Sequence, residues 1–176
     1  MRVIAGEFRG RKLKSVPGLD VRPTPDRLRE ALFNVLAPRI EGSVFLDAYA
    51  GSGAVGIEAL SRGARRVILI EKSRTAIEVI RENVATLGVQ SQVSIVRGQA
   101  SVLLPNHPAT IAFIDPPYAL ENEYGASLNA LAGTRCPLVI AQHTSRLTLA
   151  EGYGSLKKYR VLKQGDNSLS FYSPGE

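Results

Sequence analysis

Short apolar runs alternate along this chain with stretches whose apolar positions recur at helical spacing. Val44-Phe45-Leu46 closes on Asp47, Arg66–Ile70 closes on Glu71, Val93–Val96 leads into Arg97-Gly98-Gln99-Ala100, and Thr110–Ile114 closes on Asp115. Each reads as a buried strand. Between the first two, a helix is predicted from Gly53 through Ile57, Leu60 and Ser61 to Gly63. After Glu71, Ala76, Ile77, Ile80, Val84 and Leu87 share one helical face, with Ser73 as N-cap and Gly88 as the stop. Upstream, Thr24 as N-cap and Pro25 at the first helical position open a helix carrying Leu28, Ala31, Leu32, Val35 and Leu36. Strands that alternate with helices predict an α/β fold with a mostly parallel sheet covered on both faces. Ligands of such sheets bind at the carboxyl ends of the strands, where Asp47, Glu71, Gln99 and Asp115 fall.

The first strand, turn and helix carry Gly51, Gly53 and Gly56, with Glu71 at the end of the next strand. This satisfies the βαβ dinucleotide fingerprint, whose acid accepts from a ribose. The glycines alone do not separate a nicotinamide or flavin cofactor from another adenosine-bearing one. Asp47 does. A pyrophosphate beside it would meet a like charge with little water between. S-adenosylmethionine has no phosphate and carries a sulfonium and an ammonium group, both attracted to an acid. The glycines then serve close backbone approach rather than phosphate cradling.

Asp115-Pro116-Pro117-Tyr118 ends the fourth strand. Two prolines remove two backbone donors and fix both φ angles, leaving the carbonyls of Asp115 and Pro116 free to accept. Acceptors beside an aromatic ring suit a planar group bearing an NH2, such as the exocyclic amine of a nucleobase. A cofactor site and an amine-accepting site on one sheet edge are what group transfer requires.

Charge adds a partner. The net charge is +6, and residues 1–29 supply nearly all of it: eight basic residues stand there against Glu7, Asp20 and Asp26. Residues 1–23, with strand-like Arg2–Ala5 and turn formers at Gly6, Gly10, Pro17 and Gly18, predict a basic β-hairpin arm. Arg9, Arg11 and Lys12 would grip phosphates there, while Arg22 and Arg27 would border the active site. The cluster Lys157-Lys158-Tyr159-Arg160 extends that footprint or decorates an edge strand. Cys136 alone gives no internal disulfide, His107 and His143 lack metal-ligand partners, and no apolar run approaches ~20 residues. A cytoplasmic, metal-free, monomeric enzyme is the expectation, with residues 24–176 as its catalytic domain.

These motifs resemble class I S-adenosylmethionine-dependent methyltransferases that modify exocyclic amines. More closely, Ala5–Leu13, Arg22-Pro23-Thr24 with Asp26–Glu30, and Gly56–Ala64 resemble the bacterial RsmD-type family across nearly the whole chain. The resemblance implies a Rossmann-like, mostly parallel seven-stranded sheet and methylation of guanine N2 in 16S ribosomal RNA, free or in an assembling small subunit. It implies Asp115, Pro116, Pro117 and Tyr118 as catalytic residues. It implies Asp47, Ala50, Gly51, Ser52, Gly53, Glu71, Lys72 and Gln99 as the S-adenosylmethionine site. Two departures stand out: Gln99 replaces an acid that accepts from the cofactor adenine in many relatives, and Gln164 replaces an aromatic. A DNA adenine-N6 methyltransferase shares the Asp-Pro-Pro-Tyr pocket, but the segment 119–134 is brief for a target-recognition domain. A non-catalytic RNA-binding protein of the same fold is the remaining alternative.

Overall fold

The computed structural model describes residues 1–18 and 25–175. It contains one eight-stranded sheet, ordered β3-β2-β1-β4-β5-β8-β7-β6. Strands β1 (Val44–Asp47), β2 (Arg66–Glu71), β3 (Val93–Arg97), β4 (Ile111–Ile114) and β5 (Leu138–Thr144) are parallel to one another. Strands β6 (Gly152–Tyr153), β7 (Leu156–Gln164) and β8 (Asn167–Pro174) form an antiparallel extension on β5. The predicted count of seven becomes eight through β6, a strand of two residues. A pair that short leaves no periodicity to read in the sequence.

The helices are α1 (Asp26–Ile40), α2 (Ala54–Ser61), α3 (Arg74–Leu87), α4 (Ala100–Leu103) and α5 (Asn122–Ala132). Helix α3 is capped as its sequence predicts: Ser73 Oγ accepts from the Ala76 amide at 3.2 Å, and Gly88 stops it in the left-handed conformation. Helix α1 begins one residue later than predicted. Pro25 occupies the cap position with an extended ψ of 142° instead of the first helical turn, and Thr24 lies outside the described residues.

Two apolar layers sandwich the sheet. One joins Leu32, Phe33, Leu36, Phe45, Ile57, Leu69, Ile80, Phe113 and Ile140; the other joins Leu46, Ile70, Ile114, Leu128, Val139 and Tyr172. In β1, β2 and β4 alternate residues fall to opposite layers, so the interiors of these strands (Val44–Leu46, Val67–Ile70 and Ile111–Ile114) are apolar, as strands buried on both faces must be.

The predicted N-terminal hairpin is present as a short antiparallel pairing: Arg2 bridges Lys12, and the amides of Val3, Gly10 and Leu13 donate across it to the carbonyls of Arg11, Val3 and Met1 at 2.8–3.0 Å. Val3 and Leu13 bury into the first core layer, so the hairpin is docked on the domain. The segment is fastened by buried Glu58, which accepts from the amides of Ile4 at 2.8 Å and Ala5 at 3.1 Å. Glu58 in turn pairs with Arg62 at 2.9 Å and faces the fully buried Arg29 at 3.8 Å. At Gly6, φ is +87° and an added Cβ would collide with the Ser61 backbone carbonyl. Glycine is required there because the loop lies directly on the end of α2.

Candidate active site

The strand order reverses between β1 and β4, and a cavity of about 710 Å³ opens at the carboxyl ends beside that switch. Its wall includes Glu71, Lys72 and Ser73 after β2, Gly98 and Gln99 after β3, Asp115 to Leu120 after β4, and Gln142 on β5. Both halves predicted from the sequence, the glycine-turn side and the Asp-Pro-Pro-Tyr side, therefore open into one chamber.

The glycine turn takes its shape from Glu71. One carboxylate oxygen accepts from the Gly51 amide at 2.9 Å and the other from the Ser73 amide at 2.7 Å. A single side chain thus clips the turn after β1 to the start of α3. Each oxygen keeps a lone pair for a ribose hydroxyl. Gly51 and Gly53 have φ of +58° and +85°, conformations that suit glycine. A Cβ on Gly51 would meet nothing within 4 Å, so that backbone is open to a ligand. Gly56 has another purpose: a Cβ there would penetrate the side chains of Leu69 and Val67, so it sets how closely α2 packs on β2.

Asp47 is 1 % exposed and lies behind the cavity wall rather than on it, its Oδ1 accepting from the Tyr49 amide at 3.2 Å. Ala50, Ser52 and Gly53 likewise belong to the turn but not to the wall. Burial pushes the Asp47 carboxyl up to about 8, and the nearby charges of Asp115 and Glu71 add to this. Burial also pushes Asp115, which is partly exposed at the wall, up to about 7. Among the described residues, the wall carries the acids Glu71, Asp115 and Glu123 against one basic residue, Lys72, with the largely protonated Asp47 behind it. That donor set favours a cationic ligand over a pyrophosphate.

The raised Asp47 carboxyl has a consequence for stability. Between its unfolded value of 3.8 and its folded value of about 8, the folded protein holds a proton that the unfolded chain has released. Its stabilising contribution is complete below the first value and is lost as pH rises through the second. Each pH unit is worth about 1.4 kcal/mol. Relaxation around a buried charge reduces the sum to on the order of 3 kcal/mol. Asp47→Asn should therefore unfold with a midpoint less sensitive to alkaline pH than wild type, as thermal denaturation from pH 5 to 9 would show. Parallel curves would contradict this assignment.

On the acceptor side, Pro116 is buried while Pro117 and Tyr118 are exposed at the rim. The Tyr118 ring is 46 % exposed, and its hydroxyl donates to Asn167 Oδ1 at 3.2 Å. That tether to β8 holds the ring out of the core beside Asp115. Tyr49 buttresses the floor, its hydroxyl bonded to Glu123 at 2.9 Å and Ser127 at 2.7 Å. Pro25, Tyr49, Glu123 and Gln142 are wall residues that sequence reasoning missed. Gln142 was findable, because it ends the apolar run Leu138–Ala141 as Asp115 ends the run before it.

The remaining predicted residues lie elsewhere. Arg9, Arg11 and Lys12 are exposed on the N-terminal segment, and none is on the cavity wall. Arg11 donates to the Thr86 carbonyl at 3.1 Å. Arg27 is exposed on the first turn of α1, close in sequence to the wall residue Pro25, and Arg22 lies outside the described residues. Of the second basic cluster, Lys158 is occupied by Glu151 at 3.2 Å and the Leu149 carbonyl at 2.9 Å. His143 is a core residue, bonded to Ser170 at 2.7 Å and the Thr144 carbonyl at 2.8 Å, with burial lowering its pKa. Among the described residues no helix is long and apolar enough to cross a membrane.

The open sheet, its switch-point cavity and the Asp-Pro-Pro-Tyr corner define a class I methyltransferase fold. The family described as Conserved hypothetical protein 95 matches residues 1–173, and this chain belongs to that family, the RsmD-type methyltransferases. It is 34 % identical to YlbH of Bacillus subtilis (strain 168) over 98 % of each chain. It is also similar to ribosomal RNA small subunit methyltransferase D of Escherichia coli (strain K12), 44 % identical over 67 % of this chain and 60 % of that one. Among solved structures, yhhF of Escherichia coli superposes with a TM-score of 0.85 at 32 % identity, covering 100 % of this chain and 98 % of that one.

Proposed function

We propose that this protein transfers a methyl group from S-adenosylmethionine to the exocyclic N2 of a guanine in 16S ribosomal RNA. The observation that carries this reading is the single cavity shared by the Glu71–Gln99 edge and the Asp115–Tyr118 corner. The name of the Escherichia coli relative, an enzyme of the ribosomal small subunit, supports the RNA substrate.

When bound, S-adenosylmethionine supplies an electrophilic methyl group on a sulfonium centre. Glu71 would hold the ribose hydroxyls, Gln99 would accept from the adenine amine as a neutral partner, Lys72 would flank the site, and the Asp47–Gly53 turn would supply close backbone and a buried acid. The Asp115 carboxylate and the Pro116 carbonyl each accept one N–H of the target amine, which turns the nitrogen lone pair out of the base plane. Asp115 offsets the positive charge that develops on nitrogen, so positioning and electrostatics account for most of the acceleration. Tyr118 stacks on the extruded base, returning on the order of 1–3 kcal/mol against the cost of flipping. Pro117 removes a competing donor and stiffens the corner.

Residues 1–23 form the RNA-gripping part of the molecule and residues 24–176 the catalytic domain, with Arg27 beside the target strand. A monomer suffices for this arrangement, and the cytoplasm is where its substrate lies. Charge reversal at Arg9, Arg11 and Lys12 should weaken RNA binding and reduce its salt slope by about three, one per lost phosphate contact. An unchanged slope in a binding titration over salt would remove the segment from the interface.

The function itself is tested by methyl incorporation from labelled S-adenosylmethionine into 16S ribosomal RNA, into small-subunit particles and into plasmid DNA. Label in the RNA or the particles alone is expected. Label in the DNA alone would overturn the RNA assignment.

A further inference from the structure

Gln142 is 4 % exposed and sits on the cavity wall, yet its Oε1 is buried without a hydrogen-bond partner among the described residues. Leaving a buried carbonyl unpaired is destabilising, because its lost bonds to water are not replaced. No structural duty accounts for it. The backbone carbonyl of Gln142 already accepts from the Tyr124 hydroxyl at 2.6 Å, and the preceding residues of β5 are all apolar and buried. The position in the sheet is specific. Parallel strands β4 and β5 pair Ile114 with Ala141, so Asp115 and Gln142 are the next residues along, side by side at the cavity.

We propose that the Gln142 side-chain amide selects guanine by reading the part of its Watson–Crick edge next to the reacting amine. The inference deepens the guanine-N2 reading and rests on it. Along that edge guanine presents the N2 amine, then the N1–H donor, then the O6 acceptor. With N2 held at Asp115 and Pro116, the adjacent N1–H needs an acceptor and O6 a donor. A terminal amide supplies one of each at matching separation when its oxygen faces N1–H and its nitrogen O6; flipped toward an N1 acceptor with no O6 beside it, it makes one bond instead of two. Adenine-type edges carry an acceptor at N1, which would oppose the amide carbonyl and leave it buried and unpaired. A bidentate pair of this kind is worth on the order of 10- to 100-fold in discrimination.

The test compares a short 16S fragment carrying guanine at the methylated position with one carrying 2-aminopurine there. That analogue keeps the single N2 amine but has an acceptor at N1 and no O6. Wild type should favour guanine at least tenfold in kcat/KM. Gln142→Met, of similar size and apolar, should bring the two substrates within about threefold, by loss of guanine activity, with cofactor Kd unchanged. Because the free protein loses an unpaired buried carbonyl, its Tm should equal or exceed that of wild type. Gln142→Glu, which keeps an acceptor for N1–H but offers no donor to O6, should fall between them and guards against a packing effect. A full guanine preference in either variant, or none in wild type, would overturn the proposal. If wild type methylates RNA but never at guanine, the underlying reading fails, and the inference with it.

Discussion

Asp115→Ala should lower turnover by at least about 10³-fold while leaving the cofactor Kd within about threefold of wild type. Asp115 lines one half of the cavity with Pro116, Pro117 and Tyr118, while the glycine turn and Glu71 build the other half. The two functions are therefore separable by mutation. Single-turnover kinetics with saturating cofactor, together with calorimetry of cofactor binding, would show the split. Equal loss in both would mean that Asp115 builds the cofactor site instead. The same residue sets a pH profile. Its carboxyl is pushed up to about 7 by burial, and the ionised form is the one that accepts and stabilises charge. Log kcat/KM should accordingly rise with pH up to about 7 and level off above it. Asp115→Asn, which keeps an acceptor oxygen without the charge, should retain weak activity and lose that inflection.

Glu71→Ala should produce the opposite split. Its two oxygens hold the amides of Gly51 and Ser73, and charge-assisted bonds of this kind contribute about 1.5–3 kcal/mol each. Removing them loosens the turn and deletes the ribose acceptor together. Cofactor affinity should fall on the order of 10²-fold, with turnover at saturating cofactor far less affected than in Asp115→Ala. Glu71→Gln should not rescue it fully, because an amide offers one acceptor oxygen where the clip needs two. Wild-type affinity in Glu71→Ala, measured by calorimetry, would contradict this role.

The comparison of the two carboxylates shows what the sequence conveys. Strand ends are legible because an apolar run that stops at an acid marks both a buried strand and a ligand-facing edge. Strands β2 and β4 read this way, and the caps of α3 read separately from Ser73 and Gly88. The glycine turn was legible as backbone chemistry, since positive φ at Gly51 and Gly53 has no other cheap solution. What was not legible depends on partners brought from elsewhere in the chain. Glu71 reads as a ribose acceptor, but its clip on Gly51 and Ser73 appears only once β2 and the turn are adjacent. Asp47 reads as a wall residue, yet the Tyr49 amide and the surrounding core hold it one layer behind. The N-terminal segment reads as a basic hairpin arm from strand-like Arg2–Ala5 and the turn formers after it, but how it docks does not show in the sequence. Two apolar residues, Val3 and Leu13, and the buried Glu58 of α2 decide its placement. Gln142 ends an apolar run as Asp115 does, but that it is an unpaired buried group beside Asp115 becomes visible only in the fold.

The central claim is that Asp115, Pro116 and Tyr118 present one guanine amine to a methyl donor held by the adjoining turn. The most direct test is nucleoside analysis by mass spectrometry of 16S ribosomal RNA after reaction with S-adenosylmethionine and the purified protein. A single new product, N2-methylguanosine, absent with Asp115→Ala, is predicted. Methylation at an adenine amine, or at a ring nitrogen or ribose, would contradict it.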